Sequence, residues 1–239
     1  MKTRKKLSIY LKSIIGICAI IAVTLACLFA VRDGYSHWYK RLLYFTQQSN
    51  IWIGVSSLVL VFLSLIEKSK NKVLIKEYMY VLKYIFTVSI TITGIIFCVL
   101  LAPFADFDIW TSSSILTHIV VPILSIIDFF VDDKEIVFKK KHILLSLIPP
   151  LIYFVFAEIL CILKVDFGRG DPYPYFFMNF YSEAGLFGYI NSSPPQLGTM
   201  YWIIIIMLLI IFLGYLYYAF HSHTRKKRKK LISKTKKAV

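Results

Sequence analysis

Apolar residues in this chain arrive in six long blocks, most of them near or above the roughly 20 residues that a helix needs to cross a bilayer. No other feature narrows the fold as far, because hydrocarbon leaves backbone N–H and C=O groups only two solutions, the α-helix and the closed barrel. A barrel would read as alternating segments of about ten residues, and these blocks do not alternate. The expected fold is therefore all-α: a polytopic membrane protein, a bundle of six transmembrane helices. Composition agrees. Residues are 58% hydrophobic and 17% charged, where a soluble domain carries about 25% charged.

The spans are expected at about 8–31, 42–66, 78–102, 113–131, 143–163 and 199–220, followed by a polybasic tail at 221–239. The first block follows Lys2, Arg4, Lys5 and Lys6 and so resembles a signal peptide, but no convincing small-x-small cleavage pattern ends it, and it reads as a retained span. The four cysteines, Cys18, Cys27, Cys98 and Cys161, all lie inside apolar runs without C-x-x-C spacing, which argues against a disulfide framework or a zinc ribbon.

The net charge of +15 is explained by where it lies. Of 28 Lys and Arg, 22 fall in the termini and in the second and fourth loops. That asymmetry sets both termini on the cytoplasmic side of a cell membrane. Lys83, inside the third span, is expected to snorkel towards its basic end, and Asp128 to meet the basic cytoplasmic loop. The expected partners are membrane lipids, with anionic headgroups at the tail; nucleic acid is not expected, and nothing fixes the oligomeric state.

Chemistry is most plausible where polar groups enter hydrocarbon. Tyr44-Phe45-Thr46-Gln47-Gln48-Ser49-Asn50 opens the second span, and Thr46, Ser49, Asn50, Ile53 and Ser57 share about one third of its circumference. A second stripe, Thr111, Ser114, His118, Pro122 and Ser125, runs down the fourth span. Such stripes ordinarily let membrane helices pack closely. Depth distinguishes these two. At 1.5 Å per residue, Thr46, His118 and Glu158 all fall about 6–9 Å below the outer surface, although they come from three different spans. A threonine hydroxyl becomes a nucleophile when a base removes its proton, and a neutral imidazole is such a base. Thr46 and His118 are thus the candidate catalytic pair. Glu158 is a candidate to orient the imidazole, Asn50 to donate to a developing oxyanion, and Ser49 to support. Pro122 cannot donate to the carbonyl of His118, so a kink is expected there. His221 and His223 form the one metal-like pair, beside strong positive charge; neither metal nor cofactor is expected, and Walker A, G-x-S-x-G and H-E-x-x-H patterns are missing from the sequence.

The run from Tyr44 to Asn50, then His118-x-x-x-Pro122 with Asp128, then Asp171-Pro172-Tyr173-Pro174-Tyr175-Phe176-Phe177, together resemble the Pr6Pr family of bacterial six-span membrane proteins, over nearly the whole chain. More distantly the chain is similar to the androgen-induced (FAR-17a-like) membrane hydrolases of animals. That likeness implies cleavage of fatty-acyl esters by an intramembrane threonine and histidine, here Thr46 and His118. The expected activity is a lipid-ester hydrolase. The alternative is a non-enzymatic small-molecule transporter or ligand-binding protein whose polar layer receives its ligand. The loop from Asp171 to Phe177, alternating proline and aromatic residues, is expected to cover the outer mouth.

Overall fold

The computed structural model describes residues 2–105, 109–132, 136–192 and 196–237, with side chains for all of these except 2, 3, 5 and 228–237. Asp106, Asp108, Asp133, Lys134 and Glu135, and the tail side chains from Arg228 onward, lie outside the described residues.

The chain is an all-α bundle. Its helices are α1 (Lys2–Leu28), α2 (Phe45–Lys70), α3 (Glu77–Ile96), α4 (Ser112–Ile115), α5 (Val121–Val131), α6 (Lys141–Leu145), α7 (Ile148–Ile162) and α8 (Thr199–Lys237). They make six helical segments long and apolar enough to cross a membrane: Lys6–Leu28, Phe45–Lys70, Glu77–Phe104, Ser112–Val131, Lys141–Ile162 and Thr199–Lys227. An even number of crossings returns both termini to one side. The only paired strands among the described residues are Tyr189–Ile190 and Gln196–Leu197, in the loop before α8.

The third span is the hub. Inside the bundle lies 56% of its apolar window, against 22–33% for the other five. Thr87, Thr91 and Thr93 turn their hydroxyls back onto the carbonyls four residues earlier. A polar helix interior is thereby satisfied without water. The first two spans approach through small residues. Ala19, Ala22 and Ala26 are all buried on one face of α1, and Ala30 is buried in the turn that follows it. A Cβ at Gly54 would come within 2.8 Å of the Ala19 methyl, so only glycine permits this separation.

Three of the spans are interrupted, each beside proline. The third ends in a π-helical turn, Phe97–Leu101, two residues before Pro103, and the fourth contains another, Leu116–Val120, two residues before Pro122. Proline removes the N–H that would bond the carbonyl four residues back. The chain responds with an i−5 bond, from Val121 N–H to Leu116 O in one case and from Ala102 N–H to Phe97 O in the other. At Pro122 the expected kink thus takes the form of a widened turn. The freed His118 carbonyl faces α3 at Gly94, where a Cβ would come within 2.8 Å of it. In the fifth span, Pro149 and Pro150 sit in the first turn of α7, where a missing N–H costs nothing.

Two expectations about charge are corrected. Lys83 does not snorkel and Asp128 does not reach the basic loop; both are buried. Lys12 of α1 contacts Asp128 at 2.9 Å and Asp132 at 2.6 Å, and Lys83 of α3 lies 3.6 Å from the other Asp128 oxygen. Ser8 donates to Asp128 at 2.8 Å, and Lys83 donates to Ser57. The physical reason is depth. All four charged groups sit near the basic ends of α1, α3 and α5, and two ammonium groups against two carboxylates leave no net charge to bury.

Candidate active site

Helix α2 begins at Phe45 rather than at residue 42, because Trp38–Leu43 forms a 3-10 turn outside it. Thr46 is therefore the second residue of the helix and shallower than its expected depth. Its N–H is one of the donors that the first turn of any helix leaves without an internal partner. No side chain caps this end from within; the Tyr175 hydroxyl, 129 residues later, accepts that N–H at 3.4 Å.

The Thr46 hydroxyl donates to His118 Nε2 across 3.3 Å. The other ring nitrogen, Nδ1, lies 2.9 Å from the Ser114 carbonyl and 3.0 Å from the Thr117 hydroxyl. A carbonyl can only accept, so Nδ1 carries the proton and Nε2 presents its lone pair to Thr46. The ring lies flat on Phe97, with centroids 3.7 Å apart and planes 10° from parallel. Both partners of this stack belong to π-helical turns, Phe97 to the one ending the third span and His118 to the one in the fourth. Widened turns of this kind recur at functional sites because they re-aim side chains that a regular helix would direct elsewhere.

Of the three supporting residues, Glu158 and Asn50 take other roles than expected. Glu158 does not orient His118; the Ser114 carbonyl, one turn earlier on the same helix, does. Glu158 lines neither cavity at Thr46, and its Oε1 is buried without a hydrogen-bond partner. A position that shares a depth on a different helix need not share a direction. Asn50 is no free oxyanion donor, since its amide nitrogen donates to the Thr46 carbonyl at 2.8 Å and the Thr117 carbonyl at 3.2 Å. Both amide hydrogens are consumed, one within α2 itself and one in tying α2 to the turn that holds His118. Ser49 donates to the Thr46 carbonyl at 3.1 Å and meets the Thr93 hydroxyl at 2.9 Å, joining α2 to α3.

Thr46 stands between two cavities. On one side is an apolar chamber of about 80 Å³, lined by Phe45, Ile92, Ile96, Tyr153, Phe154, Ile206, Met207 and Ile210 among others. On the other is an open vestibule of about 940 Å³, which His118 also lines, together with Arg41, Tyr44, Arg169, Tyr173 and Tyr175. The loop from Asp171 to Phe177 forms part of the boundary. Tyr175 stacks on Phe177 with centroids 5.0 Å apart and planes 8° from parallel, and Phe177 and Met178 are buried with Trp202 and Tyr153 in one hydrophobic cluster. Burial pushes the Tyr175 phenol above its ordinary pKa, so it remains a protonated donor.

Sequence reasoning did not single out Ser114 as a ring orienter, Phe97 as the stacking partner, or Tyr175 as a neighbour of Thr46. The i, i+4 spacing of Ser114 and His118 was a usable signal for the first. Nothing local signals the other two. No family model matches this chain, and neither a curated protein nor a solved structure matches it.

Proposed function

We propose that the protein is an intramembrane lipid-ester hydrolase of the Pr6Pr type, in a cell membrane with both termini cytoplasmic, with Thr46 as nucleophile and His118 as base. One observation carries the reading: the Thr46 hydroxyl donates to an imidazole nitrogen whose opposite N–H is held by the Ser114 carbonyl. That is the tautomer a general base requires. It is a dyad, with a backbone carbonyl in the place where a carboxylate often stands.

As Thr46 Oγ1 attacks an ester carbonyl carbon, its proton passes to His118 Nε2. The carbonyl oxygen becomes an oxyanion. Tyr175, whose oxygen accepts from Thr46 N–H, keeps its phenolic proton to donate there, and the amino-terminal end of the 26-residue α2 adds positive potential. The C–O bond to the alcohol then breaks, and His118 returns the proton to the leaving oxygen. Water from the vestibule, deprotonated by the same nitrogen, hydrolyses the acyl-threonine and restores the hydroxyl. The apolar chamber takes the methylenes of the acyl chain next to the ester and the larger open vestibule takes the alcohol side, with the reacting bond between them at Thr46.

The test is active-site labelling of the purified protein with a fluorophosphonate. Labelling of the wild type that disappears in Thr46→Ala and in His118→Ala supports the dyad. A folded wild type that never labels, yet takes up a solute into proteoliposomes, would replace this reading with a transporter.

A further inference from the structure

Gln47 follows the nucleophile in sequence and stands one helical step, about 100°, round from it on α2. Its backbone N–H is bonded within the turn, to the Tyr44 carbonyl at 3.1 Å. The residue is 4% exposed and lines the vestibule that Thr46 and His118 also line. Its amide oxygen, Oε1, is buried and has no hydrogen-bond partner among the described residues. A buried acceptor without a donor bears its full desolvation penalty, which an apolar residue of the same shape would not. The chain nevertheless places an amide there, in a vestibule whose wall includes Phe97, Leu100, Leu101 and Phe104.

The second half of the hydrolase reaction needs an acceptor of this kind. A water molecule that attacks the acyl-threonine turns a lone pair to the ester carbon, and each of its two O–H groups then requires an acceptor. His118 Nε2 takes one. The other polar groups of the vestibule are otherwise engaged. Tyr175 donates to the oxyanion, and Arg41 carries donors only. Thr111 Oγ1 accepts from Ser114 N–H at 3.2 Å. Asp33 is held by Arg41 at 2.8 Å and by Arg32 at 3.4 Å, and Asp171 is exposed in the outer loop. Asn50 Oδ1 is also buried without a partner, but Asn50 lines neither cavity at Thr46. Gln47 Oε1 is an acceptor that is unpaired, buried and beside the nucleophile on the side from which water comes.

We propose that Gln47 is a positioning residue whose amide oxygen holds the hydrolytic water on the vestibule side of Thr46. This deepens the hydrolase reading and rests on it. With one O–H on Gln47 Oε1 and the other on His118 Nε2, the water oxygen is left facing the acyl carbon. A bond forms between that carbon and the water oxygen as His118 accepts the proton. The bond from the carbon to Thr46 Oγ1 then breaks, His118 returns the proton to Oγ1, and the fatty acid leaves. Attack of Thr46 on the ester, the first half of the reaction, uses no water. Gln47 therefore acts on deacylation alone.

The two halves are read separately. Gln47→Met keeps the length of the side chain and removes the acceptor, and Gln47→Glu keeps an acceptor. Fluorophosphonate labelling, which needs the dyad but no water, should stay within about twofold of wild type in Gln47→Met. With p-nitrophenyl octanoate in neutral detergent, that variant should release nitrophenol in a single-turnover burst, with acyl-threonine visible by intact mass. Turnover after the burst should be about 10- to 100-fold slower than wild type. The melting temperature should hold or rise, since the lost amide bonded nothing. Gln47→Glu should deacylate faster than Gln47→Met. Asp106 and Asp108 lie outside the described residues, and Asp106→Asn and Asp108→Asn should deacylate as wild type does. Labelling and turnover that fall together in Gln47→Met would make Gln47 a support of the dyad and overturn the proposal. So would an unchanged turnover, a Gln47→Glu protein no faster than Gln47→Met, or slow deacylation in either aspartate variant alone. A Gln47→Met protein that does not fold overturns it too, because the amide would then be a brace. A folded wild type that neither labels nor releases nitrophenol removes the hydrolase itself, and the water site with it.

Discussion

His118 lies face to face with Phe97, 3.7 Å between ring centroids and 10° between planes. The stack removes rotation about the last side-chain bond as a free variable, and the Ser114 carbonyl fixes which ring edge faces which way. Nε2 is left directed at Thr46. Phe97→Ala should therefore lower the rate of fluorophosphonate labelling about 10- to 100-fold, as expected when a reacting group drifts by around an ångström. Phe97→Tyr should keep most of it. Unchanged labelling in Phe97→Ala would show that the stack positions nothing.

Gly94 gives the backbone of His118 its room. A methyl there would sit 2.8 Å from the His118 carbonyl and 3.3 Å from Pro122 Cβ. Gly94→Ala is expected to cost about 1–3 kcal/mol, the usual range for overpacking, and to slow labelling as α3 and the fourth span are forced apart. Thermal melting in detergent, paired with labelling, reads both. Full stability would mean that the helices separate there without resistance.

Asn50 ties the Thr46 carbonyl to the Thr117 carbonyl. Asn50→Ala should lower stability by about 1–3 kcal/mol, because one inter-helix bond is lost and a buried acceptor loses its donor. An oxyanion donor would behave otherwise, with labelling lost and the melting temperature unmoved. The two outcomes separate a brace from a catalytic amide.

The buried ion network should be intolerant of single changes. Asp128→Asn leaves Lys12 and Lys83 short of a carboxylate, at a cost of about 3–5 kcal/mol. Lys12→Met combined with Asp132→Leu keeps the pairing of Lys83 with Asp128 and should lose far less than either change alone. Equal losses from the single and double variants would mean that the charges do not act as a set.

Asp166 sets a pH dependence at the outer loops. Burial works to raise its pKa, but N–H groups of Gly168 and Gly170, the Ser36 hydroxyl and Lys40 outweigh that, and the carboxyl is held below its ordinary value. A depressed carboxylate stabilises the fold above its unfolded pKa, about 3.9, and that contribution is lost as pH falls through the lower folded value. The clamp between Ser36 and Asp166 should thus hold at neutral pH and loosen only in strong acid. Protease nicking of the 163–198 loop should rise below about pH 4 in the wild type. Asp166→Asn should show raised nicking already at neutral pH, with little further change on acidification.

The architecture was legible because the bilayer acts on sequence directly. A block of apolar residues longer than the hydrocarbon thickness has one low-energy solution, and no knowledge of neighbours is needed to write it. Thr46 and His118 were also legible as candidates, since polar groups at matching depth on separate spans stand out against an apolar background. Their 3.3 Å contact belongs to the tertiary structure.

Direction decided the rest. Depth follows from counting residues at 1.5 Å each, but azimuth depends on how each helix is rotated by its packing. Glu158 lies one turn from the end of α7, as residue counting places it, but among the wrong neighbours. Lys12, counted among the terminal charges, turns inward because Asp128 waits there. Asn50 faces Thr46 as the periodicity requires, yet one of its hydrogens is taken by the Thr46 carbonyl of its own helix and the other by the Thr117 carbonyl, whose nearness only the packed π-turn creates. Tyr175 reaches Thr46 from 129 positions away, by way of a loop whose path follows from its aromatic contacts with Tyr44, Tyr153 and Phe177. One-dimensional physics of the membrane determined the spans; which side chains touch was decided by three-dimensional packing, where every rotation is negotiated with several neighbours at once.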